Sequence, residues 1–206
     1  VERTTLAAGS LAVARDVIVA GDLALPLDAD VVVVPTAAAF TGAARAAVAV
    51  ADALSDVDAR VEAIMVGDRA SANEPYFARR VGEADVVVLC DGSALHARSS
   101  WRDTAVGAAI ERAGLVVAIG SVASVLGEVM IDPRGGAPTT GLGYRPGVVL
   151  TVPAPPTQLA RTRGLLRATE TLVVVGPQGA VLGEDGRWRV VRRDVVVTRG
   201  DEASAL

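Results

Sequence analysis

Leu-Val-Val-Ala-Ile-Gly-Ser-Val-Ala-Ser-Val-Leu-Gly-Glu-Val-Met-Ile-Asp-Pro-Arg-Gly-Gly, residues Leu115 to Gly136, is the passage from which the rest of the chain can be read. The apolar run Leu115–Ile119 predicts a strand buried on both faces. Gly120-Ser121 predicts a tight turn, followed by a short helix and a Gly/Pro loop. A sharp strand-to-helix bend lifts one side chain above a sheet, beside helix N–H groups able to stabilise an oxyanion. Ser121 thus stands where an α/β hydrolytic enzyme carries its nucleophile, and the question is whether the other residues supply its partners.

Upstream, Val31–Val34, ended by Pro35, and Val86–Cys90 are similar apolar runs, and Val61–Val66 is a further strand. Helical segments lie between them. Ala43–Leu54 carries Ala44, Ala47, Val48, Ala51 and Leu54 at helical spacing. Glu74–Val81 follows the capping pattern Ser71-Ala72-Asn73-Glu74 and has Pro75 in its first turn, and Thr104–Ala113 is stopped by Gly114. Before Val31 the reading is a loose tail over residues 1–10, then short strands at Leu11–Val13, Val17–Ala20 and Leu23–Leu25. Downstream come a strand at Val148–Val152, a break at Ala154-Pro155-Pro156 and an Arg-rich helix at Thr157–Leu166. Strands then follow at Leu172–Val175, Ala180–Leu182, Trp188–Val191 and Val195–Thr198, with Gly183-Glu184-Asp185-Gly186 as a hairpin turn. The predicted fold class is three-layer α/β: a mostly parallel sheet flanked by helices, with an antiparallel C-terminal extension. One domain is expected over 11–199, with flexible tails at 1–10 and 200–206.

Composition removes several kinds of chemistry. All 20 basic residues are Arg, so there is no Schiff-base lysine, pyridoxal-phosphate anchor or P-loop lysine. A formal charge of -4 gives no electrostatic case for nucleic acid. One His, one Cys and scattered acids offer no ligand spacing, so neither a metal nor another cofactor is expected. Cys90, ending an apolar run, reads as a buried structural thiol and fits a reducing cytoplasm. Pro35, Arg45 and Asp52 interrupt the most apolar region well short of the ~20 residues of a membrane span. Val1-Glu2-Arg3-Thr4 lacks a charged-then-apolar signal pattern, and the expected location is the cytoplasm, with no membrane partner.

A series of short blocks then carries a resemblance: Val-Val-Pro-Thr-Ala-Ala-Ala (33–39), Leu-His-Ala-Arg-Ser (95–99), Leu-Gly-Glu-Val-Met-Ile-Asp-Pro-Arg-Gly-Gly (126–136), Gly-Leu-Gly (141–143) and Gly-Arg-Trp-Arg-Val (186–190). In this order they resemble the cyanophycinase and peptidase E family, serine peptidases with a class I glutamine amidotransferase-like fold. The resemblance spans Leu11 to Thr198. It implies a bacterial origin, which the absence of lysine and the Ala/Arg/Val bias also suggest, and a homodimer or an oligomer with an active relative.

The family carries a Gly-x-Ser-Ala-Gly-Ala elbow whose serine is the nucleophile. Aligned from the strand, Ser121 takes that place; aligned backward from Leu126-Gly127, Gly120 takes it and the nucleophile is lost. Either way the small pair after the serine has become Val122-Ala123 or has been displaced. The family places its base after the strand corresponding to Val148–Val152, where this chain reads Pro153-Ala154-Pro155-Pro156. The family's acidic text near Gly176-Pro177-Gln178-Gly179 is replaced, and Ala14-Arg15-Asp16 stands in place of a glycine loop. The family's Gly-Gly after the strand at 86–90 reads Asp91-Gly92, which sets a carboxylate beside the oxyanion position implied for Gly92, Gly120 and Val122.

A serine without a base is a weak nucleophile. The expected function is therefore that of a catalytically impaired or inactive serine-peptidase homologue acting as a binding or interaction protein for a small peptide or an anionic ligand. The alternative is an active serine-type peptidase or amide hydrolase using Ser121 with a non-standard base. His96, the lone histidine, is the candidate base, against its bland reading as a helix-face residue near Trp101. Asp85 with Asp91 is a weaker acid–base pair. Arg161 and Arg163, with Arg167, are candidate ligands for an anion, against the commoner solvated helix face. Gly120-Ser121 at a helix start is a further place where backbone N–H groups can hold an anion.

Overall fold

The computed structural model describes residues 3–199 and 202–204. Its centre is a seven-stranded sheet in the order β11-β10-β1-β5-β4-β2-β3. The strands are β1 (Thr4–Ala8), β2 (Ala29–Val34), β3 (Ala59–Ala63), β4 (Val86–Leu89), β5 (Leu115–Ile119), β10 (Ala180–Glu184) and β11 (Arg187–Arg192). The first five run parallel, and β10 and β11 are antiparallel additions at one edge. A second sheet, β13-β12-β9-β8, is built from β8 (Val148–Thr151), β9 (Thr171–Val175), β12 (Val195–Arg199) and β13 (Glu202–Ser204). The pair β6 (Val129–Ile131) and β7 (Pro138–Thr140) closes the Gly/Pro loop as a hairpin.

Alternate strand residues feed two cores, one on each face of the large sheet. Val31, Val33, Val86, Val88 and Val117 face α1 (Leu11–Val19) and α2 (Ala43–Ala53). Val32, Val34, Val87, Leu89, Val116 and Ala118 face α3 (Pro75–Glu83), α4 (Ala94–Trp101) and α5 (Ala105–Arg112). Covering on both faces is why these strands read as unbroken Val runs. The second sheet packs Leu150 and Val173 into the latter core and Val149 and Leu172 against Leu159 and Leu166, which flank or lie on α6 (Pro156–Leu165). This gives the expected α/β class with antiparallel C-terminal strands.

Three expectations need correction. Residues 1–10 are not a loose tail, because Thr4–Ala8 is an inner strand bonded to β5 on one side and β10 on the other. The strands expected at Leu11–Val13 and Val17–Ala20 are one helix, α1. Ser10 caps it by accepting the Val13 N–H, and Val13, Ala14, Val17 and Ile18 bury one stripe. Here burial of a helical face overrides the strand preference of β-branched residues. No strand forms at Leu23–Leu25, and the helix expected after Gly120 is a 3₁₀ segment over Gly120–Val125. The expected tail at 200–206 falls outside the described residues except for Glu202–Ser204, which forms β13.

Candidate functional site

β4 and β5 are neighbours in parallel register, Leu89 opposite Ala118, so the segments that leave their C-terminal ends lie side by side. One is Asp91-Gly92 and the other Gly120-Ser121. The chain bends at Gly120, whose φ of +62° is a left-handed value that a side chain strains to adopt. A Cβ placed on Gly120 would overlap the Asp91 carboxylate. Asp91 thus fills the space above the bend into which a nucleophile's side chain would project. Gly92 has φ +150° and packs so tightly on the Ala37 carbonyl that no Cβ fits there either.

The local hydrogen bonds explain this arrangement. Asp91 Oδ1 accepts the Gly92 N–H at 2.7 Å and the Ser121 N–H at 2.9 Å. Ser121 Oγ lies 2.9 Å from the same Oδ1 and 2.5 Å from the Gly92 carbonyl oxygen, with one proton to donate between them. The two backbone donors expected to face an oxyanion therefore converge on a carboxylate of the chain itself. Val122 behind them is wholly buried in the core, and Ser124 Oγ donates to the Ser121 carbonyl at 2.8 Å.

The candidate bases are elsewhere. His96 Nε2 donates to the Gly67 carbonyl at 2.8 Å, and its ring meets Phe40 edge-on at 4.6 Å, so its polar edge is turned to the loop after β3. Asp85 precedes β4 and accepts the Asp30 N–H at 2.9 Å, a strand length from Asp91 at the other end, so the two acids do not pair. Beside Ser121 lies a cavity of about 220 Å³ lined by Ala94, Ile131, Val152, Pro153 and Pro155, where the sequence offers no ionisable side chain. Burial and the charge of Asp91 push the Cys90 thiol up to about 12, consistent with the structural role read for it.

The Arg cluster is not one site. Arg161 Nη1 donates to the Gly135 carbonyl at 3.2 Å and steadies the loop between β6 and β7, whereas Arg163 lines a separate recess with Arg167 and Thr198. Among the described residues no group of three or more His, Cys, Asp or Glu side chains is placed to hold a metal ion, and no helix is long and apolar enough to cross a membrane. What sequence reasoning missed is that Asp91 occupies the bend. The signal was the acid adjoining Gly92, but its direction depends on the backbone angle at Gly120.

No protein-family model matches the chain, and no curated protein matches it. Solved structures do. A crystal structure of a peptidase from an acI-B1 Actinobacterium superposes with a TM-score of 0.77 at 18% identity, covering 99% of this chain and 93% of that one. A protein described as a candidate peptidase E from Listeria monocytogenes EGD-e superposes with a TM-score of 0.67 at 11% identity, covering 93% of this chain and 99% of that one. The chain has the fold of these peptidases over almost its full length.

Proposed function

We propose that this peptidase-fold chain is an inactive or severely impaired homologue that works by binding rather than by hydrolysis. The observation that carries this reading is the Asp91 carboxylate, which fills the space over Gly120 and takes both the Gly92 and the Ser121 N–H groups. A tetrahedral oxyanion needs those donors free, and a negative charge already seated on them opposes a second one. No imidazole bonds Ser121, and loss of a serine or its base from such a triad lowers the rate on the order of a million-fold. The apolar cavity beside Ser121 suits an apolar side chain of a small peptide ligand. In the same reading the chain pairs with itself or with an active relative in a bacterial cytoplasm. A strictly monomeric protein at high concentration would remove that part.

A second reading rests on one distance. Asp91 Oδ1 lies 2.9 Å from Ser121 Oγ, within reach for a carboxylate base. Against it, that oxygen already accepts two backbone N–H groups. Incubation with a fluorophosphonate and mass spectrometry of the intact protein separates the two readings. The expected result is no adduct. An adduct on Ser121 that disappears in Ser121→Ala and slows in Asp91→Asn would overturn the binding-protein reading.

A further inference from the structure

At the opposite edge of the large sheet, about one strand length or ~15 Å from the bend, Arg145 is buried to 7% exposure. It has no carboxylate partner among the described residues. Its Nε donates to Thr5 Oγ1, and its Nη1 donates to the Tyr144 carbonyl at 2.8 Å and the Glu111 carbonyl at 3.5 Å. Its Nη2, also buried, has no acceptor. Neutral oxygens alone offset little of the cost of taking a guanidinium out of water, and arginine does not escape by losing its proton at neutral pH. Burial and the nearby charge of Arg3 both hold the Arg145 pKa below its usual value, so the position lacks a negative charge.

Arg145 lines a cavity of about 390 Å³ together with Arg3, Asp185 and Trp188. Trp188 and Gly186 also line a neighbouring recess of about 380 Å³, walled by Val148, Val173 and Val197 at the seam between the two sheets. The Trp188 indole lies over Gly183, where no side chain fits beneath it. A cationic end, a flat indole and an apolar wall follow one another along this groove. Asp185, which accepts the Arg3 N–H at 3.2 Å, places one negative charge at the rim and disfavours a ligand with two.

We infer that this seam binds a small organic monocarboxylate bearing an apolar or aromatic group, its carboxylate taken by Arg145 and Arg3 and its apolar part lying along Trp188 toward the valine wall. The planar guanidinium matches a carboxylate, and the apolar body accounts for the uncharged half of the groove. The inference does not rest on how Ser121 is read, because none of these residues touches the bend.

The test titrates phenylacetate, and its neutral isostere phenylacetamide, into the full chain while following the Trp188 indole N–H by NMR. Trp101 is wholly buried and serves as an internal reference. Saturable shifts confined to Trp188 are expected with phenylacetate, and much weaker ones with phenylacetamide. Arg145→Gln is expected to lose roughly 10- to 100-fold in affinity, the worth of a charge-assisted hydrogen bond. Because that substitution touches a buried site and can fail to fold, Arg3→Gln at the exposed rim is the second variant, expected to lose about 2- to 5-fold. Absence of saturable shifts at Trp188 would overturn the inference. Equal binding of acid and amide, or an unchanged affinity in folded Arg3→Gln, would do the same.

Discussion

Ser121 and Asp91 are joined twice, because the backbone N–H and the hydroxyl of the serine both lie 2.9 Å from the same carboxylate oxygen. In a peptidase of this fold the corresponding bend presents its side chain to substrate. Here the bend is a glycine, the residue after it is turned toward a carbonyl and a carboxylate, and that carboxylate fills the space. The site is internally satisfied, which favours a stable surface over a reactive one.

Restoring a side chain at the bend tests that arrangement. Gly120→Ser is expected to destabilise the protein by about 1–3 kcal/mol, from the left-handed φ and from overlap with Asp91. In the Asp91→Gly background the same change should cost at least about 1 kcal/mol less. Urea denaturation of the two single variants and the double variant measures the difference. Additivity to within about 0.5 kcal/mol would show that Asp91 does not occupy that space.

Arg80 ties α3 to two strands. Its guanidinium pairs with Asp30 at 3.2 Å and Glu62 at 2.8 Å, and its side chain is only 16% exposed. The two carboxylates, by hydrogen bonding first and by charge second, raise its pKa above the usual value. Arg80→Ala is expected to lower stability by about 1–2 kcal/mol, a figure reduced for solvent screening of the partly exposed acids. The urea midpoint should fall with an unchanged slope, and the loss should shrink in high salt.

Cys90 offers a chemical test of the region under the bend. Burial, and secondarily the charge of Asp91, disfavour the thiolate and push the thiol up to about 12. Iodoacetamide at pH 8 is expected to leave the folded protein unmodified and to label it rapidly in denaturing urea. Rapid labelling of the folded chain would mean that the end of β4 opens to solvent.

The inner strands β2, β4 and β5 were legible in the sequence because burial on both faces turns them into unbroken Val and Leu runs. Helices α2, α3 and α5 were legible from apolar spacing and end signals such as Pro75 and Gly114. Strand β1 was not, because Thr-Thr-Leu-Ala-Ala is too short and mixed to announce a central position, and its place depends on partners 110 and 180 residues away, as in Thr4↔Leu115 and Thr4↔Glu184. Helix α1 was hidden by Val13, Val17 and Ile18, whose local preference is extended and whose helical stripe pays off only against the sheet. At the site, Asp91 was visible as a charge beside the bend, but its occupation of the space over Gly120 was not. The Arg145 seam draws on residues 3, 145, 185 and 188, which no local pattern connects.

The position of β1 has a consequence for how the chain is made. The five residues that leave the ribosome almost first must wait, with one edge unmatched, until residues 180–184 have been synthesised to pair with them. Contacts of such long sequence separation slow folding and leave an open edge exposed meanwhile. Loss of the last thirty residues would therefore strip a neighbour from an inner strand rather than trim the periphery, and early termination should yield an aggregating fragment in place of a shortened protein.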